Sequence, residues 1–173
     1  MKKTIFLLLG VAMFLCGCGG TGPQRPSQRK SAVPTVDSTQ LALMELNYQL
    51  ATAADEQLRA LVKAQTENYA LYNNGTWVHI IQVGETDRAM LKQGEECTVR
   101  MRVMSLEGKL YTDTEQTATI GKYEWPTAVD KNLPEWHHGA RVKMFVPWYS
   151  AYGIKGTAEV PPYENVIIEL DIE

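Results

Sequence analysis

The chain changes period at Asn73-Asn74-Gly75, and that switch limits what it can fold into more than any other feature. Before it, Leu43, Leu46, Leu50, Ala54, Leu58, Leu61, Val62 and Tyr69 recur at three- and four-residue spacing with no Gly or Pro among them. Such spacing lines one face of an α-helix, and Asp37-Ser38-Thr39 supplies capping residues at its start. The pattern predicts a helical segment over 37–74, with the helix itself at about 39–71. More than about thirty residues is long for a helix of a globular unit. The leucine stripe fits packing on its own domain, pairing with a second copy as a homodimer, or a free-standing stalk.

After Gly75 the runs become alternating and β-branched, at 77–83, 97–104, 116–120, 142–146 and 166–172. Turn signals stand between them at Gly94, at Glu107-Gly108-Lys109 and around Gly121. Residues 123–139 are poor in β-branched side chains and leave room for one short helix at 127–132. The expected class is α+β: a mostly antiparallel sheet with one small helix, preceded by the long N-terminal one.

The first residues carry an export pattern. Lys2 and Lys3 precede an apolar run over 5–15 that ends in small residues and cysteine, the order of a bacterial secretory signal peptide. The run is too short to span a bilayer, which takes about 20 apolar residues. Leu15-Cys16-Gly17-Cys18 resembles a lipobox. The resemblance implies removal of 1–17 as a lipoprotein signal peptide and acylation of Cys18. Each buried CH₂ of the acyl chains then contributes about 0.8 kcal/mol to membrane anchoring. Gly19 stands where an Asp would signal inner-membrane retention, so the implied place is the outer membrane, facing the periplasm. Residues 18–36, with Pro23, Pro26 and Pro34 among Gly, Ser, Gln and the basic Arg25, Arg29 and Lys30, cannot bury a core and read as a flexible tether.

Other function classes are weakened by what the chain carries. Seventeen Lys and Arg against twenty Asp and Glu give a net charge of −3 with no basic cluster, so no nucleic-acid partner is expected. With Cys16 removed and Cys18 acylated, Cys97 is left without an intramolecular partner, and its strand-like surroundings suit a buried small hydrophobe. His137 and His138 beside Glu135 fit a turn better than a metal site, because neighbours on a strand point to opposite faces. The sequence shows no P-loop, no G-x-G-x-x-G and no Ser-His-Asp order, so no cofactor and no metal are expected.

The C-terminal half carries a more specific signal. Gly139-Ala-Arg-Val-Lys-Met-Phe-Val-Pro147-Trp-Tyr-Ser-Ala151-Tyr152-Gly153, then Val160-Pro161-Pro162 and the apolar run 166–172, resembles the FKBP-type peptidyl-prolyl cis-trans isomerase pattern. Upstream, Lys92-Gln93-Gly94, the strand at 97–104 and Leu106-Glu107-Gly108-Lys109-Leu110-Tyr111 are similar to that family's first hairpin. The resemblance covers about 76–173 and implies an FKBP-like domain over 75–173, an antiparallel sheet wrapped on one short helix. Within the family, the lipidated tether and a helix ending at Glu67-Asn68-Tyr69 resemble the gliding-motility-associated lipoprotein isomerases of Bacteroidota.

By the same resemblance Tyr152 matches the tyrosine that hydrogen-bonds a ligand carbonyl, and Tyr111 an aromatic of the pocket wall; these are the two expected catalytic positions. Val160 and Ile168 match apolar wall positions. Three positions depart from the pattern: Met101 stands for a tyrosine, Thr112 for an aspartate, and Val129 for the tryptophan that floors the pocket. Trp125, Trp136 and Trp148 are close enough in sequence for one of them to refill that floor. The expectation is a degraded pocket with reduced activity on proline-containing segments of folding or assembling envelope proteins. A noncatalytic FKBP-like chaperone or assembly-binding lipoprotein is the alternative.

Overall fold

Lys63, not Leu71, ends the first helix. The computed structural model describes residues 37–173, so the signal peptide, Cys18 and the tether of 18–36 lie outside the described residues. Helix α1 spans Ser38–Lys63, and the N–H groups of Ala64 and Gln65 close it with bonds to the Leu61 and Val62 carbonyls, both 3.1 Å. The chain then enters the sheet as β1, Ala70–Leu71. Tyr69 fits the helical spacing, but its ring packs on Phe145 and His79 at centroid distances of 5.1 and 5.4 Å. Pairing with the sheet therefore overrides local periodicity over 64–71.

Five more strands follow: β2 Trp77–Gln82, β3 Glu96–Ser105, β4 Leu110–Thr119, β5 Arg141–Val146 and β6 Val166–Ile172. They form one six-stranded sheet in the order β1-β2-β5-β6-β3-β4, and every pairing is antiparallel. β4 begins well before the expected residue 116. Its first half is polar and shows no alternation. It is held instead by cross-strand pairs at Asp113, which accepts from Arg100 on both carboxylate oxygens at 3.0 and 3.2 Å and from Arg102 at 3.4 Å. The short helix, α2, occupies Thr127–Asn132, the expected residues, and a 3-10 turn follows at Leu133–Glu135.

Strand alternation sorts the apolar side chains onto two faces. Val99, Val103, Val142, Met144, Ile168 and Leu170 face α2 and pack with Ala128, Val129 and Leu133 in the main core. Phe145 and Ile167 point the other way and meet Leu58, with Leu61, Val62, Tyr69, Trp77 and Met104 around them. The C-terminal half of α1 thus packs on its own domain, and the architecture is α1, sheet, α2 in three layers. The N-terminal half of α1 leaves Leu41, Leu43, Met44, Leu46 and Tyr48 exposed.

Four hydrogen bonds tie α1 to the two loops beside β5 and β6. The Trp148 indole donates to the Leu50 carbonyl at 3.5 Å, Tyr149 donates to Asp55 at 2.5 Å, Asn165 donates to Gln57 at 2.8 Å, and Tyr163 donates to Asn47 at 3.4 Å. In the β1–β2 hairpin, Gly75 has φ +77°, and a Cβ there would sit 2.2 Å from the Tyr149 hydroxyl, so any other residue would be strained and would displace that side chain from Asp55.

Candidate functional site

Tyr152 lies in a tight turn whose geometry follows from its residues. Pro147 ends β5 and fixes its φ. The N–H groups of Ser150 and Ala151 return to the Pro147 carbonyl at 2.9 and 3.0 Å, and Gly153, at φ +69°, donates to the Trp148 carbonyl at 2.8 Å. Three contacts brace the turn from outside. The Trp148 N–H donates to Asn165 at 2.9 Å, the Ser150 hydroxyl donates to the Asn74 carbonyl at 2.7 Å, and Ala128 at the start of α2 donates to the Ser150 carbonyl at 2.8 Å.

The Tyr152 ring rests half-buried against the main core. Burial, with a smaller contribution from Glu159, pushes its phenol up to about 12, so it is a neutral donor at any ordinary pH. Among the described residues its hydroxyl has no hydrogen-bond partner.

Tyr111 reaches the same core by another device. β3 and β4 pair Val103 with Thr112 and Met104 with Leu110, so Tyr111 is the extra residue of a β-bulge. A bulge resets the alternation of the strand and re-aims its side chain, and the Tyr111 ring packs against the main core. Its hydroxyl donates to Glu164 at 2.8 Å. Burial and that bond push its phenol up to about 12. Glu164, just ahead of β6, carries no motif that sequence reading would have caught.

The structure gathers the remaining candidates except Thr112 into this one apolar cluster: Met101, Trp125, Val129, Val160 and Ile168. Their exposures run from 0% for Val129 and Ile168 to 8% for Met101, so each is packed in the core rather than open to solvent. Thr112 sits half-buried on β4 opposite Val103. Of the three tryptophans that compete for the floor, Trp125 and Trp136 enter the main core. Trp148 stacks edge-on with Tyr149 and Tyr163 at 5.6 and 4.9 Å, toward α1.

The other chemistry-bearing residues are occupied. The Cys97 thiol is buried and pushed up to about 11, chiefly by that burial, so it is not a thiolate near neutrality. His137 contacts the Arg88 carbonyl at 3.0 Å, and His138 contacts the Glu173 carbonyl and the Glu95 carboxylate at 2.8 and 3.2 Å.

Comparison with solved structures gives these elements a context. FkpA from Escherichia coli superposes with a TM-score of 0.60 at 16% identity, covering 78% of this chain and 63% of that one. The fold is FKBP-like. A peptidyl-prolyl cis-trans isomerase from Pseudomonas syringae pv. tomato matches with a TM-score of 0.57 at 17% identity over 70% of this chain and 92% of its own length. The N-terminal domain of FKBP42 from Arabidopsis thaliana matches at 0.54 and 18% identity, over 63% and 91%. This chain therefore spans less than two thirds of FkpA and about nine tenths of the other two. No family model matches the sequence, and no curated protein matches it. At such identities the likeness establishes the fold, while function has to be argued from the site.

Proposed function

We propose that the protein is a peptidyl-prolyl cis-trans isomerase acting on prolyl bonds of envelope proteins, with Tyr152 as the hydrogen-bond donor to the bound segment. The observation that carries this reading is the Tyr152 phenol: half-buried at the edge of an apolar cluster, neutral up to about pH 12, and without a protein acceptor. X–Pro rotation is slow because amide resonance imposes a barrier of about 18–20 kcal/mol, and lowering it takes no nucleophile, acid or metal. In the twisted imide the resonance is broken and the carbonyl is less polar, so an apolar surface that excludes water favours it over the planar ground state. A fixed phenol donor holds the chain in that orientation at no cost in proton transfer.

Met101, Thr112 and Val129, in place of the family's tyrosine, aspartate and tryptophan, remove polar and aromatic contacts from the wall, and the activity is correspondingly reduced. Cys18 carries the lipid that anchors the protein to the outer membrane, and the gliding-motility-associated lipoprotein isomerases of Bacteroidota are the relatives its layout suits best. A protease-coupled assay on Ala-Leu-Pro-Phe with the full chain tests the activity. Acceleration that falls in Tyr152→Phe supports the proposal, and a rate at background overturns it.

One observation favours a second reading. Met101, Trp125, Val129, Val160 and Ile168 are at most 8% exposed, so a prolyl ring has to part packed side chains before it enters. A noncatalytic module would bind prolyl peptides at the rim formed by Tyr111 and Tyr152 without changing their exchange rate. Peptide binding with no acceleration is its signature.

A further inference from the structure

Five buried side-chain polar atoms among the described residues lack a hydrogen-bond partner, and three of them belong to the β1–β2 hairpin and to the segment that ends α2: Thr76 Oγ1, Asn132 Nδ2 and Trp136 Nε1. One of the three, Asn132, borders a cleft of about 520 Å³ between the β1–β2 hairpin, which contributes Leu71, Tyr72 and Asn74, and the end of α2 with the 3-10 turn after it, which contribute Lys131, Asn132 and Glu135. Asn132 lines the cleft at 5% exposure. Its Oδ1 accepts from Asn74 at 3.3 Å while its Nδ2 finds no acceptor. Thr76 belongs to the hairpin through its bonds to Tyr72 and Asn74, and the Trp136 ring lies 6.5 Å from that of Tyr72. Native structures retain few unpaired buried donors, so a concentration of them calls for an explanation.

The same wall is an edge of the sheet, because β1 is its terminal strand. Tyr72 donates to the Thr76 carbonyl at 2.8 Å, and the register pairs Leu71 with Trp77 and Ala70 with Val78. Bonded and non-bonded pairs alternate along an antiparallel ladder. Tyr72 and Ala70 therefore turn their main-chain groups to β2, and Leu71 turns its N–H and C=O outward. Leu71 is 54% exposed.

We propose that this cleft binds a stretch of extended polypeptide. Its main chain adds a strand to β1 through the N–H and C=O of Leu71, and one of its carbonyls accepts from Asn132 Nδ2. A carboxylate or phosphate offers acceptors only and would leave the Leu71 carbonyl unpaired. A main chain presents donors and acceptors in turn, and Lys131 and Glu135, of opposite sign, suit an electrically neutral ligand. The residue facing Leu71 must carry an N–H, so this site takes a non-prolyl segment and is distinct from the one at Tyr152. The Ser150–Asn74 bond joins the cleft wall to the turn that holds Tyr152, so one client chain can engage both.

Fluorescence anisotropy of the full chain with a labelled, end-blocked Thr-Val-Thr-Val-Thr-Val peptide tests this. The expected result is saturable binding, weakened about tenfold or more when the peptide's central amides are N-methylated and likewise in Asn132→Asp, which keeps the Asn74 acceptor and removes the donor. N-methylation leaves the protein untouched and serves if a variant fails to fold. Binding indifferent to both changes, or no saturation by about 1 mM, overturns the proposal. So does competition by sodium acetate at equal concentration, and so does a dimer that Leu71→Pro dissociates, which would assign the edge to a second copy. The probe contains no proline, so its binding is decided independently of isomerase activity.

Discussion

The Tyr111 hydroxyl donates to Glu164 Oε1 at 2.8 Å, joining the bulge of β4 to the loop that leads into β6. Tyr152, packed against the same apolar cluster, makes no such bond among the described residues. Two tyrosines on one core thus hold different positions: one hydroxyl is consumed by the fold and the other is free for a ligand.

Removing the Tyr111 hydroxyl should therefore act on stability before it acts on catalysis. Tyr111→Phe keeps the ring on the core and is expected to cost about 0.5–1.5 kcal/mol in urea unfolding, the ordinary net worth of one hydrogen bond. Its isomerisation rate is expected to stay within about twofold of wild type. Tyr111→Ala also removes the wall and should lower both quantities.

Leu58 tests the three-layer arrangement. It lies on α1 and is fully buried against the Phe145–Ile167 pair of the sheet, so Leu58→Ala is expected to cost about 2–5 kcal/mol. Leu43 lies on the same stripe but is 54% exposed, and Leu43→Ala should change stability by no more than about 0.5 kcal/mol. Equal losses in urea denaturation would contradict the packing of α1 on the sheet.

Much of this architecture was legible from residue order. α2 stood out at 127–132 because β-branched residues thin out there, and Ala151-Tyr152-Gly153 was picked out by its resemblance to the FKBP pattern. The missed elements share a cause: their signal lies in a partner. Tyr69 continued a helical spacing until Phe145 and His79 supplied a better environment, and the polar start of β4 is held as a strand by Arg100 and Arg102 at Asp113. Trp125, Trp136 and Trp148 were all near enough in sequence for one of them to refill the pocket floor, and only packing separates Trp148, which turns toward α1. Glu164 and the unpaired Asn132 amide belong to contacts far apart in the chain, which no local pattern encodes.

The phenols also set the alkaline limit of the fold. Tyr69, Tyr111 and Tyr152 are each raised from 10.0 to about 12, chiefly by burial. A folded-state value above the unfolded one adds stability that is fully present below pH 10 and is lost as pH rises toward 12. Unfolding free energy should therefore fall across that window, and ultraviolet titration should show these phenols ionising late. On the proposed mechanism Tyr152 acts as a neutral donor, so the isomerisation rate is expected to be flat between about pH 6 and 9. A bell-shaped profile there would require an acid or base that this mechanism does not use.

The most direct test of the account is the rate of Ala-Leu-Pro-Phe isomerisation by the full chain beside Tyr152→Phe, with peptide affinity measured on both. The account predicts catalysis by the wild type and a fall of about tenfold or more in kcat/KM in the variant, with its unfolding midpoint unchanged. Equal rates in the two proteins, or none above background in the folded wild type, would contradict it.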